Sequence, residues 1–68
     1  MRIYGKLREE IKKTFGNQKA FAVAMEMNVS TLNSKLNGKT DWAIGEVEKA
    51  CMLLNISLNE MVDYFFYS

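Results

Sequence analysis

At 68 residues, 49% apolar and 25% charged, the chain reads as one small globular domain spanning 1–68, near the lower limit for folding without disulfides or metal. A single cysteine and no histidine exclude an internal disulfide and leave too few ligands for a zinc site. No run approaches the ~18–20 apolar residues of a membrane span. The net charge of +1 is unevenly divided: residues 1–39 hold eight Lys or Arg against three Glu, and residues 40–68 hold one Lys against five acids. A net +5 in one half and −4 in the other suits a module whose N-terminal part faces an anion.

Ile3, Leu7, Ile11 and Phe15 recur at i, i+4, with Tyr4 and Thr14 beside them, and predict an amphipathic first helix over 2–15. Gly16 supplies a left-handed stop, and Lys12 and Lys13 suit the negative helix end. Asn17 is placed to cap a second helix, Gln18 to Met25, with Ala20, Phe21, Ala24 and Met25 inward and Val23 at the margin. Ala22 is small enough to let the third helix cross closely. The connection Glu26-Met27-Asn28 has no glycine, and a left-handed glutamate there costs on the order of 1 kcal/mol. Met27 is expected to plug the corner of the core and Asn28 to cap the next helix.

The third helix, Val29 to Asn37, carries Leu32 and Leu36 on one face and Ser30, Thr31, Asn33, Ser34, Lys35 and Asn37 elsewhere. Short hydrogen-bonding side chains are mediocre helix formers, so their concentration points to a contact face rather than to helix stability. Such side chains let a helix approach a base-pair floor, where Ser and Asn exchange hydrogen bonds and Val or Thr methyls touch thymine. Asn37-Gly38-Lys39-Thr40 should close the helix and offer backbone N–H groups and a lysine to a phosphate.

Trp42, Ile44, Val47, Cys51 and Leu54, joined by Ala50, Met52 and Leu53, form the stripe of a fourth helix that starts between Asp41 and Gly45. Thr40 or Asp41 is its expected cap, and Asn55 ends it. Cys51 sits in an apolar run and reads as a core thiol, which makes the cytoplasm the natural compartment. Ile56 packs inward, and Ser57-Leu58-Asn59-Glu60 is a capping box opening a fifth helix buried through Leu58, Met61, Val62 and Phe65. Four aromatics follow one another at Tyr64, Phe65, Phe66 and Tyr67. They either fold back over the first and fifth helices or form a patch that a second subunit covers.

The architecture is therefore all-α and compact, five helices with short connections, the second and third meeting at a tight turn as in a helix-turn-helix. Gln18 and Ala22, then Ser30-Thr31-Leu32, then Asn37-Gly38-Lys39 make up a recognisable motif. Glu46-Val47-Glu48-Lys49-Ala50 and the run from Leu53 to Glu60 extend it. With these residues the sequence resembles the lambda-repressor-like helix-turn-helix family, which includes the Cro and CI proteins of temperate phages, over nearly its whole length. The resemblance implies that Gln18 meets the phosphate backbone or a base at the groove edge. It implies base contacts from Val29, Ser30, Asn33 and Ser34, and phosphate contacts from Lys19, Asn28, Lys35, Asn37 and Lys39. Glu26 stands where the family usually has glycine, and Lys35 takes the slot where many relatives place the second apolar residue. The chain stops straight after the fifth helix, and so is similar to the single-domain Cro-like regulators or to the N-terminal domain of a longer repressor.

These readings converge on a sequence-specific, double-stranded DNA-binding transcriptional regulator in the bacterial cytoplasm, phage-encoded on the resemblance. The third helix would read the major groove, and a homodimer would bind a pseudo-palindromic operator through an aromatic dimer surface. No cofactor, metal or small-molecule substrate is expected. The alternative is a helical protein-interaction module, an antitoxin or antirepressor, which the low net charge and aromatic C-terminus favour. An enzyme is not expected, because the sequence has no histidine, no paired catalytic carboxylates and no glycine-rich phosphate loop.

Overall fold

The computed structural model describes residues 4–66, which form five α-helices and, among the described residues, no strand. They are α1 (Gly5–Phe15), α2 (Gln18–Met25), α3 (Val29–Leu36), α4 (Ile44–Leu54) and α5 (Leu58–Phe65). Ile3 of the predicted first stripe lies outside the described residues. The radius of gyration of 10.6 Å matches the ~11 Å of a well-packed chain of this length.

Three of the helices, α2, α3 and α4, end by one recurring device. After α2, the Met27 N–H donates to the Ala22 carbonyl at 3.0 Å and the Glu26 N–H to Val23 at 3.0 Å. After α3, Lys39 donates to Ser34 at 2.9 Å and Gly38 to Lys35 at 3.2 Å; after α4, Ile56 donates to Cys51 at 2.8 Å and Asn55 to Met52 at 3.3 Å. Each pair is the Schellman closure, which needs one left-handed residue. Those residues are Glu26 (φ 59°), Gly38 (φ 77°) and Asn55 (φ 58°). The residue that emerges from the closure, Met27 or Ile56, packs on the core. The left-handed glutamate is therefore real, and its carboxylate bonds the Lys49 ammonium on α4 at 2.7 Å. That hydrogen bond, and then the lysine's charge, hold the Glu26 carboxyl below its ordinary value.

Helix starts agree less well with expectation. The Asn17 carboxamide oxygen does cap α2, accepting from the Ala20 N–H at 2.8 Å. Asn28 occupies the cap position of α3 but makes no capping bond; its side chain instead accepts from the Ser30 hydroxyl at 3.4 Å. The cap of α4 is neither Thr40 nor Asp41 but Ala43, whose N–H donates to Glu46 Oε1 at 2.9 Å. Alanine has no acceptor to offer, so the third helical residue alone reaches back, half of a capping box. At α5, Glu60 Oε1 accepts from the Ser57 hydroxyl at 3.1 Å and from its N–H at 3.4 Å.

The core draws on every helix: Leu7 and Ile11, Phe21, Ala22 and Met25, Leu32 and Leu36, Val47, Ala50, Cys51 and Leu54, and Tyr64 and Phe65. α1 packs on α2, α4 and α5; α2 packs on α3 and α4; α4 packs on α5. Ala22 is buried at the centre of α2, while Ala20 and Ala24 are only half-buried and Val23 is exposed. Cys51 is buried, and burial pushes its thiol upward. Tyr64 and Phe65 belong to the interior rather than to a dimer surface, Tyr64 donating to Glu10 Oε1 at 3.3 Å. Of the four tail aromatics, Phe66 alone is seen exposed, and Tyr67 lies outside the described residues. Trp42 precedes α4 and is wedged edge-on against Tyr4 and Phe65, with centroids at 6.4 and 5.2 Å. Ile44, Met52 and Leu58, expected inside, are 79%, 74% and 74% exposed. Helix start positions explain Ile44 and Leu58: each is the first residue of its helix, where the chain has not yet turned onto the core.

Candidate nucleic-acid interface

The rotation of α3 is fixed by what faces inward: Leu32, Lys35 and Leu36 are buried. Spacing of three and four from Leu32 is the ordinary inward stripe of a helix, with a lysine in one of its slots. The Lys35 ammonium donates to the Asp41 carbonyl at 2.9 Å and pairs with Glu46 Oε1 at 2.9 Å, lying 6.0 Å from the Trp42 ring centroid. Burial acts to raise the Glu46 carboxyl, but the Ala43 N–H and the bond and charge of Lys35 outweigh it, so the group sits below its ordinary value. Lys35 was expected on a phosphate. Its ammonium is instead committed to the loop before α4 and to α4 itself, because a buried cation must be paired and hydrogen-bonded.

A second tie holds the other end. Arg8 of α1 donates from Nη2 to the Leu36 carbonyl at 2.7 Å and to Asn37 Oδ1 at 2.8 Å. α3 is thus clasped by α1 at its C-terminus and by α4 through Lys35, and it rests on α2. Rigid placement of this kind is what a reading helix requires.

The face left outward carries Val29, Ser30, Thr31 and Asn33, continuing to Asn37, Lys39 and Thr40, all exposed. Ser34 is half-buried, because its carbonyl receives the Lys39 and Thr40 N–H groups and the loop crosses beside it. Asn33 is therefore better placed than Ser34 to touch a ligand. The expected backbone clamp at 37–40 is absent: the N–H groups of Asn37, Gly38, Lys39 and Thr40 all bond to carbonyls of α3. Only the side chains of that loop remain to meet an anion. At the opposite end, the missing side-chain cap at Asn28 leaves the first turn of α3 open to an anionic partner.

At the start of α2, Gln18 is half-buried and Lys19 exposed. Gln18 lines an open hollow of about 210 Å³ with Arg8, Ile11, Lys12, Gly16 and Asn17. Arg8 lines this hollow and also bonds the end of α3 through Asn37. Arg8 is not among the residues that the sequence pattern singles out. A basic residue directly after Leu7 in the buried stripe was the available signal. Among the described residues no group of metal-ligating side chains occurs, and no helix is long and apolar enough to cross a membrane.

Comparison with known proteins adds two findings. The sequence pattern of the family described as "Protein of unknown function (DUF739)" matches residues 2–68. The chain belongs to this family. Among solved structures, it is similar to the modulator of repression (MOR) of the temperate bacteriophage TP901-1 from Lactococcus lactis, with a TM-score of 0.85 and 33% identity. The match covers 97% of this chain and 89% of that one. No curated protein matches. The chain is thus a small helical protein of the phage-regulator type.

Proposed function

We propose that this chain regulates phage gene expression by binding double-stranded DNA, with α2 and α3 acting as a helix-turn-helix and α3 entering the major groove. The observation that carries this reading is the outward face of α3, where Ser30, Thr31, Asn33 and Asn37 are exposed while the helix is clasped from three sides. Ser30 and Asn33 would meet base edges, Val29 a thymine methyl, and Ser34 the margin of the groove. Lys19, Lys39, Asn28 and Asn37 would meet phosphates, with Lys12 and the Gln18 amide flanking them at the hollow beside Arg8. Lys35 leaves the phosphate set, which lightens the electrostatic share of binding and lowers its salt slope by about 1. Titration of duplex DNA by fluorescence anisotropy across a salt series tests the reading. Lys39→Ala should weaken binding to all sequences and reduce the salt slope by about 1. Binding without salt dependence would oppose it.

A second reading has its own support. The similar solved structure is titled a modulator of repression, the net charge is only +1, and the expected cation Lys35 is buried. On this reading the same chain modulates repression by holding a partner protein. Failure to bind duplex DNA at low salt, together with a stable complex with a repressor protein, would favour it.

A further inference from the structure

Three exposed apolar side chains, Ile44, Leu58 and Phe66, gather on one face, whereas Val23, Val29 and Met52 lie outside it. Ile44 at the start of α4 and Leu58 at the start of α5, 79% and 74% exposed, line one hollow of about 180 Å³ with Trp42, Val47, Met61 and Phe66. A neighbouring hollow of about 280 Å³ shares Trp42, Val47 and Phe66, so the two form one groove centred on the tryptophan. α3 contributes no residue to either hollow. The Trp42 indole N–H is buried with no acceptor among the described residues.

Charge selects the occupant. Glu48 and Asp41 line the groove, and Glu60 stands in the first turn of α5. Residues 40–68 contain one cation, Lys49, held by Glu26 just after α2, and Lys35, 6.0 Å from the Trp42 ring, is paired with Glu46. Nucleic acid is repelled by such a rim, and a second copy pairing groove to groove would set these acids against their own counterparts. We infer that the α4–α5 groove, lined by Trp42, Ile44, Leu58 and Met61 and rimmed by acids, docks an amphipathic helix of a partner protein that has apolar anchors flanked by Lys or Arg. An apolar channel between two helices receives such a helix through residues at i, i+3 or i+4, and i+7. This surface operates whether or not α3 binds DNA.

Trp42 is the sole tryptophan and reports occupancy directly. The test titrates the full chain with a Leu/Lys amphipathic helical peptide, a Leu/Glu peptide of the same pattern, and a scrambled Leu/Lys peptide, following Trp42 fluorescence and amide shifts. The patterned basic peptide should change the emission, bind more tightly than the other two, and shift amides of α4 and α5. Ile44→Ser and Leu58→Ser alter exposed positions, so thermal melting should be unchanged while peptide binding weakens about tenfold. Equal binding of the three peptides, or shifts confined to α3, overturns the inference. A self-association seen by sedimentation and abolished by Ile44→Ser would make a second copy the occupant and overturn it as well. Loss of DNA binding in Asn33→Ala, with peptide binding intact, separates the two surfaces.

Discussion

At the scale of single residues, Lys35 decides most. Its neighbours Leu32 and Leu36 already announce the inward face of α3, and a lysine between them can be accommodated only if its ammonium finds acceptors, which Asp41 and Glu46 provide. Removing one partner of a pair this enclosed leaves the other uncompensated. Lys35→Ala should therefore cost roughly 3 kcal/mol, read as a lowered melting temperature, whereas a lysine serving only as a phosphate contact would leave melting unchanged. Acid gives a second readout. The Glu46 and Glu26 carboxyls lie below their ordinary value of 4.5 in the folded chain. Their contribution is accordingly complete above that value and is lost as pH falls through the lower folded ones. Stability should drop on acidification from pH 5 downward, and Glu46→Gln, already less stable at neutral pH, should show a shallower drop. An acid limb of equal steepness in both proteins would contradict the role given to Glu46.

At the scale of elements, the closures show what the sequence could and could not disclose. The stripe Leu7-Ile11, the Asn17 cap and the stop at Gly16 were legible because each is a local pattern with one physical solution. The left-handed Glu26 was legible too, since no glycine was present to take that place. Glu26→Gly removes a backbone cost on the order of 1 kcal/mol but also the bond to Lys49. With that pair solvent-exposed and weak, the variant should melt at or slightly above the parent temperature, and a marked fall would show that the pair matters more than exposure suggests. The α4 cap was not legible, because alanine carries no capping signal and the work is done by Glu46 three residues on. Ile44 and Leu58 were misread for a related reason. Hydrophobicity at a helix start was assigned to the core by periodicity, although the first residue of a helix need not face it. The outward face of α3 was legible in composition, but the choice of Asn33 over Ser34 came only from the loop that crosses Ser34.

At the scale of the whole molecule, charge and apolar surface are sorted onto different parts of the fold. The basic half includes α1 to α3, and the acidic half supplies α4, α5 and the groove around Trp42. The aromatic tail was the hardest part to read, because four successive aromatics look alike in sequence and only packing distinguishes them. Phe65 closes on Trp42 inside the core and Phe66 is 47% exposed. Phe65→Ala should accordingly destabilise by about 3–5 kcal/mol, while Phe66→Ala should cost little, with chemical denaturation as the measure. The central claim is that the clasped, polar face of α3 reads DNA. Selection of bound sites from random duplex DNA at low salt tests it most directly. A recovered motif a few base pairs wide, weakened by Ser30→Ala and Asn33→Ala with folding unchanged, is the predicted result. No enrichment over random sequence, under conditions where the protein is folded, would contradict it.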